Sequence, residues 1–284
     1  MNGIVVIDKP AGMTSHDVVA RCRRALGVKR IGHAGTLDPG ATGVLVIGVG
    51  RATRLLRFLE AHDKTYEATV TFGVTTTTFD ADGDPIEECD ASGLSRATVE
   101  AALDALRGEI DQVPPMVSAV KVGGERLYAK ARRGEEVERA PRRVTIHELR
   151  LDSFEPATRP VARLVVRCSK GTYVRSLAAD LGEAVGTGAH LAALRRTAVG
   201  PFTLARARGL DGLTSESLEP MERAATGYPV RRLDAAQASA VVDGRPLGAA
   251  GIAGTYAMVG PAGLVAMAED REGVARTLCV VSER

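Results

Sequence analysis

Short apolar runs and polar, turn-rich stretches alternate along this chain without a fixed spacing. Gly3 to Asp8, with Ile4 to Ile7 at its centre, predicts a short buried strand. Thr14-Ser15-His16-Asp17 then offers capping hydroxyls and a first-turn acid, which predicts a helix to about Leu26. Val44 to Val49 predicts a second apolar strand, and Ala52 to Glu60 a short helix. Tyr66 to Phe72, Val144 to Leu151 and Val161 to Cys168 alternate as strands do. Ser95 can cap a helix to about Arg107, and Tyr173 to Val185 is an amphipathic helical stretch ended by Gly186. Strands and helices interleave without a regular βαβ period, so the expected class is α+β, a mixed fold with a largely antiparallel sheet. From about Leu210 the texture changes. Residues 210–229 look like a connection, after which Thr255 to Val259, Leu264 to Ala268 and Val274 to Val281 predict short strands. Turn chemistry separates them at 260–263 and 270–273. The expected domains are therefore 1–225 and a small β-rich module at 230–284.

Composition narrows the class without naming a function. With 45% hydrophobic and 25% charged residues in 284, the chain can bury a sizeable core and is neither fibrous nor disordered. A net charge of +2 is too small to argue for nucleic acid by itself. The cations are 31 Arg against 6 Lys, and guanidinium forks suit phosphate, although a GC-rich genome would give the same bias. Basic residues also cluster locally. Residues 18–37 hold Arg21, Arg23, Arg24, Lys29 and Arg30 with no acid, and Arg51, Arg54 and Arg57 recur at a helical spacing. Residues 126–143 hold seven Lys or Arg against three Glu. A phosphate-tracking role for Arg30, Arg132 and Arg133 is expected from these clusters. Cys22, Cys89, Cys168 and Cys279 are far apart, with no metal-ligand or disulfide spacing, and fit a reducing compartment. Neither a signal peptide nor an apolar run of membrane-spanning length is present, so a cytoplasmic protein is expected.

Candidate chemistry concentrates in Gly32-His33-Ala34-Gly35-Thr36-Leu37-Asp38-Pro39-Gly40-Ala41-Thr42-Gly43-Val44-Leu45. One carboxylate, Asp38, sits in a tight loop with His33 five residues upstream and an apolar strand behind. Asp-Pro-Gly alone is ordinary turn chemistry, since Pro presets one dihedral and Gly tolerates positive φ. Asp80-Ala81-Asp82-Gly83-Asp84-Pro85 resembles the start of a calcium loop but puts Pro85 where Gly is needed and Ala91 where a bidentate Glu is needed, so it reads as a solvated acidic turn, with a reservation for Asp80. Gly48-Val49-Gly50-Arg51 lacks the lysine and spacing of a phosphate-binding loop. No metal and no nucleotide cofactor is indicated.

Taken together, the motifs resemble the bacterial tRNA pseudouridine-55 synthases, the TruB family. The first is Gly3 to Asp17, in which Lys9 and Pro10 would brace the catalytic loop; the second is His33 to Leu45. Lys64-Thr65-Tyr66 matches a lysine-x-tyrosine, Pro114 to Lys121 continues the register, Cys168 to Leu177 is the third long match, and Gly188 to Thr197 closes it. One departure is visible: Thr77 stands where relatives often carry Asp in a Thr-Asp-Thr-x-x-Asp stretch ending at Asp80, and that family pattern is the reservation about Asp80. The resemblance implies a pseudouridine synthase catalytic domain followed by a PUA-like RNA-binding domain. It implies isomerisation of uridine 55 in the tRNA T-loop, by base flipping and a single aspartate, Asp38, without a cofactor. His33 would occupy space left by the flipped base, Tyr66 would stack on it, Tyr173 would serve late proton removal at C5, Arg175 would pair with Asp38, and Leu194 would wall the pocket. If the strand extended through Tyr173 and Arg175, both side chains would share one face. Whether Asp38 attacks C1′, attacks the base or removes a C2′ proton stays open. The implied partner is the tRNA T-arm, with no membrane and no obligatory protein partner, and a monomer is the default. A tRNA-folding chaperone with secondary catalysis is the alternative function. The guide-RNA-dependent branch is disfavoured, because the chain has no basic extension after Val281.

Overall fold

A computed structural model describes the chain except residues 117, 119, 120, 128, 129, 131, 132, 134, 136 and 284. It divides into two compact units: one formed by 1–39, 43–62 and 199–284, the other by 40–42 and 63–198.

The first unit begins with β1 (Gly3–Lys9), α1 (Ser15–Leu26), β2 (Ile31–Ala34) and β3 (Thr42–Val49). Strands β1 and β2 both pair antiparallel with β3. A strand sends alternate side chains to opposite faces, and here both faces are covered. Ile4, Val6, Val44 and Val46 face one apolar cluster, while Val5, Ile7, Leu45 and Ile47 face another with Val18, Val19 and Cys22 of α1. This explains why the strands read as continuous apolar runs. The capping box at α1 is present, with Thr14 and Asp17 satisfying each other's backbone N–H, and Gly27 ends the helix at φ 64°. The short helix expected at Ala52 to Glu60 is a 3-10 turn, Gly50–Leu55, followed by α2 (Leu56–Glu60).

In the second unit come β4 (Lys64–Phe72), β5 (Val74–Thr76), β6 (Pro85–Glu88), α3 (Arg96–Asp104), β7 (Gly108–Gln112), β8 (Lys121–Val122), β9 (Glu125–Arg126), β10 (Arg142–Glu155), β11 (Val161–Cys168), α4 (Val174–Ala184) and β12 (Ala189–Val199). Its main sheet has the order β12-β4-β11-β10-β7, and the β4-β11, β11-β10 and β10-β7 pairs are antiparallel. Two register shifts let β10 run fourteen residues, well beyond the stretch that alternates cleanly in sequence. Strand β12 has no clean apolar period (its burial mixes exposed, half-buried and buried positions), and the sequence reading did not place a strand there. Strand β11 ends at Cys168, and Tyr173 is the N-cap of α4. The extended geometry considered for Tyr173 and Arg175 is therefore replaced by a helix start.

The chain returns to the first unit through β13 (Phe202–Thr203), then β14 (Val230–Arg232), α5 (Ala235–Val242), β15 (Leu247–Gly248), β16 (Thr255–Gly260), β17 (Gly263–Arg271) and β18 (Val274–Val280). The last five strands form a sheet in the order β14-β16-β17-β18-β15. Its Ala257, Leu264, Met267 and Val281 join the same apolar cluster as Ile4, Val46 and Phe58, so this sheet shares a core with the amino-terminal strands. Among the described residues no helix is long and apolar enough to cross a membrane.

Candidate active site

Asp38 is half-buried in the loop between β2 and β3, and each of its two sequence neighbours is held by a side chain from another segment. On one side Ser15 Oγ accepts the Leu37 N–H at 2.9 Å and donates to the Leu37 carbonyl at 3.1 Å. On the other, Lys9 is fully buried and its Nζ donates to the carbonyls of Met13 (2.6 Å), Pro10 (2.9 Å) and Pro39 (3.1 Å). The Gly12 N–H also donates to the Pro39 carbonyl at 2.9 Å. An ammonium out of water is tolerated only when its protons find acceptors, and here they fasten 10–13 to the residue after Asp38. The left-handed glycines of this stretch are Gly35 (φ 82°) and Gly43 (φ 100°) on its flanks. Gly40, the glycine of the Asp-Pro-Gly turn, is not left-handed, contrary to the turn reading. His33 lies on β2 with its ring edge-on to His16, centroids 5.3 Å apart.

Tyr66, Tyr173, Arg175 and Leu194 belong to the second unit. Tyr66 is buried on β4 opposite Val166, and Leu194 is half-buried on β12. Arg175 is buried in the first turn of α4, and its Nη1 donates to Asp80 Oδ2 at 3.1 Å and to the Thr78 carbonyl at 3.2 Å. The solvated-turn reading of Asp80 is thereby corrected. Its side chain is 17% exposed, accepts the Arg175 guanidinium, and also receives the Thr78 hydroxyl and the Asp82 N–H. Phe79 beside it has φ 62°, a strained value for a bulky residue. Leu191 N–H and Ala81 N–H bridge this loop to β12 and hold that conformation. Thr77, the departure from the family pattern, keeps a polar role: its Oγ1 accepts the Asp84 N–H at 3.1 Å. Gln112, which no sequence argument singled out, contacts Tyr173 through both ends of its amide.

Several members of the basic clusters have partners within the fold. Arg51, Arg54 and Arg57 donate to the carbonyls of Val281 (3.3 Å), Val280 (2.7 Å) and Leu278 (2.6 Å). Their shared face therefore holds the end of the last strand. Arg133 is engaged by Glu125 and Glu135, and Arg30 Nε donates to Thr53. Arg132 lies outside the described residues. Burial pushes the thiols of Cys22 and Cys168 up to about 11, which removes both as candidate nucleophiles at neutral pH.

Comparison with known proteins identifies the family. The profile described as TruB family pseudouridylate synthase (N terminal domain) matches residues 23–174. The tRNA pseudouridylate synthase B C-terminal domain matches 175–233, and tRNA Pseudouridine synthase II, C terminal, matches 228–282. A protein of Thermobifida fusca named tRNA pseudouridine synthase B is 50% identical over 287 residues, covering 98% of each chain. One of Mycobacterium sp. (strain KMS) with the same name is 53% identical over 291 residues, covering 98% of this chain and 95% of that one. Among solved structures, a chain of a Cbf5-Nop10-Gar1 complex aligns with a TM-score of 0.75 at 25% identity, over 99% of this chain and 85% of that one. This chain belongs to the TruB family of pseudouridylate synthases.

Proposed function

We propose that this protein converts uridine 55 in the T-arm of tRNA to pseudouridine, with Asp38 as its catalytic carboxylate. The observation that carries the reading is the bracing of Asp38 in the matched family loop, by Ser15 on Leu37 and buried Lys9 on Pro39. Catalysis by one carboxylate demands a fixed position more than a large surface. The reaction breaks N1–C1′ and forms C5–C1′, while C5 gives up a proton and N1 gains one. No electrons or groups enter from outside.

Each remaining residue has a role in that scheme. A base in a folded RNA loop must leave its stack, at a cost of a few kcal/mol. His33 fills the space it leaves, and Tyr66 stacks on it, a contact worth roughly 1–3 kcal/mol. Leu194 walls the base, Tyr173 serves proton removal from C5, and Arg175 supplies positive charge while Asp80 keeps its guanidinium in place. Residues 230–284 act as a PUA-like RNA-binding domain, supported by their five-stranded sheet and the family's C-terminal match. The same reading makes the protein a cytoplasmic monomer with no obligatory protein partner.

The test is pseudouridine formation on an unmodified tRNA transcript, wild type against Asp38→Asn, with the modified position mapped. Product at position 55 from the wild type alone is expected. A folded wild type that binds tRNA yet forms no product would reduce the protein to a tRNA-folding role. Product at another position would keep the chemistry and overturn the substrate.

A further inference from the structure

Gln112 ends β7 and is buried, and Pro114 two residues later stops the strand. Its Oε1 accepts the Tyr173 N–H at 2.7 Å, and its Nε2 donates to the Tyr173 carbonyl at 3.0 Å. Only an oxygen can accept that N–H, which fixes the orientation of the amide. The arrangement imitates the mutual bonds of two facing residues in an antiparallel ladder, with a side chain replacing one backbone. Tyr173 needs such support. It is the N-cap of α4 and makes no side-chain cap of its own, at a position where Ser, Thr, Asp or Asn is usual. One residue beyond Gln112, the Val113 carbonyl accepts the Ser176 hydroxyl at 3.2 Å. The 112–113 segment thus grips residues 173 and 176 and brackets Arg175.

We propose that Gln112 is a positioning residue for pseudouridine formation: its amide sets the backbone of Tyr173 and so the aim of the Tyr173 phenol. The inference rests on the placement of Tyr173 in the site given above. Gln112 itself touches no reacting atom. A misplacement of 1 Å in a reacting group can cost on the order of 100-fold in rate, so a backbone clamp of this kind acts on turnover rather than on tRNA affinity.

The test uses the full chain and an unmodified tRNA transcript, with single-turnover rates and tRNA affinity measured separately. Gln112→Leu should slow the chemical step by roughly 30–100-fold while tRNA affinity stays within about threefold. Gln112→Glu keeps the volume and, if Gln112→Leu does not fold, carries the test alone. An ionised carboxylate can accept the Tyr173 N–H but cannot donate to its carbonyl, whereas the neutral acid can do both. Its rate, divided by the wild-type rate at the same pH, should therefore recover as pH falls. A Gln112→Leu, Tyr173→Phe double variant should lose little beyond Tyr173→Phe alone, because the phenol being aimed is already gone. Multiplicative losses, parallel falls in affinity and rate, or a pH-independent Gln112→Glu defect would overturn the inference. An inactive wild type that binds tRNA sinks the functional reading itself; an active wild type with an indifferent Gln112→Leu sinks only this one.

Discussion

A lysine with no exposed surface has to satisfy its ammonium inside the protein, and Lys9 does so on three carbonyls that the loops around Asp38 supply. Replacing it with Met keeps much of the apolar stem and removes the ammonium from the Pro10 and Met13 carbonyls, while the Pro39 carbonyl keeps the Gly12 N–H. Each buried unsatisfied group costs about 1–3 kcal/mol, and water entry offsets part of the sum. Lys9→Met should therefore lose on the order of 3 kcal/mol. A lower urea midpoint at unchanged slope would show it, with turnover on tRNA falling further than affinity. An unmoved midpoint would mean that the ammonium does not hold the loop. The bracing by Lys9 was legible because it lies inside a long contiguous motif. Asp80 and Gln112 were not. Asp80 sits in a run of acids that reads as solvated, and only the fold delivers Arg175 to it. Gln112 acts on a backbone 61 residues away, and a lone glutamine before two prolines carries no local signal of that.

At the level of elements, the caps were the most readable feature, since Thr14 with Asp17 and Ser95 with Thr98 are local chemistry. Helix α4 starts without such a signal: Tyr173 offers no side-chain cap, and Gln112 instead holds the N–H and carbonyl of Tyr173 itself. The same helix carries a titrating group. Burial, with a smaller contribution from like-charged Glu183, pushes the Asp180 carboxyl up to about 6 from its ordinary 3.8. The folded protein then binds that proton more tightly than the unfolded chain, so this group's contribution to stability falls as pH rises from about 4 to about 6. The penalty is complete above that window and absent below it. Asp180→Asn should stabilise the protein at pH 8 by ~1–2 kcal/mol, after discounting the shift for partial exposure, and by almost nothing near pH 4. Chemical unfolding at the two pH values measures the difference, and an equal gain at both would rule out the titration.

Across the whole molecule, the turns that separate the last strands were legible from glycine and proline, but where those strands dock was not. Arg54 and the carbonyl of Val280 that it meets are 226 residues apart. A basic face on a short helix is consistent with phosphate binding until the fold supplies acceptors. Here the acceptors are the carbonyls at the end of β18, with Leu264, Met267 and Val281 closing the core beneath. The two roles separate by salt. Contacts to phosphate release counterions, so each one lost lowers the dependence of log affinity on log salt by about 0.9 for a duplex. A clamp on backbone carbonyls leaves that slope alone and lowers stability, by ~1 kcal/mol for each charged hydrogen bond at a solvated site. The double replacement Arg54→Ala, Arg57→Ala should accordingly lower the unfolding temperature while the salt slope of tRNA binding stays that of the wild type. A slope smaller by about two with unchanged stability would return both arginines to the RNA-binding surface.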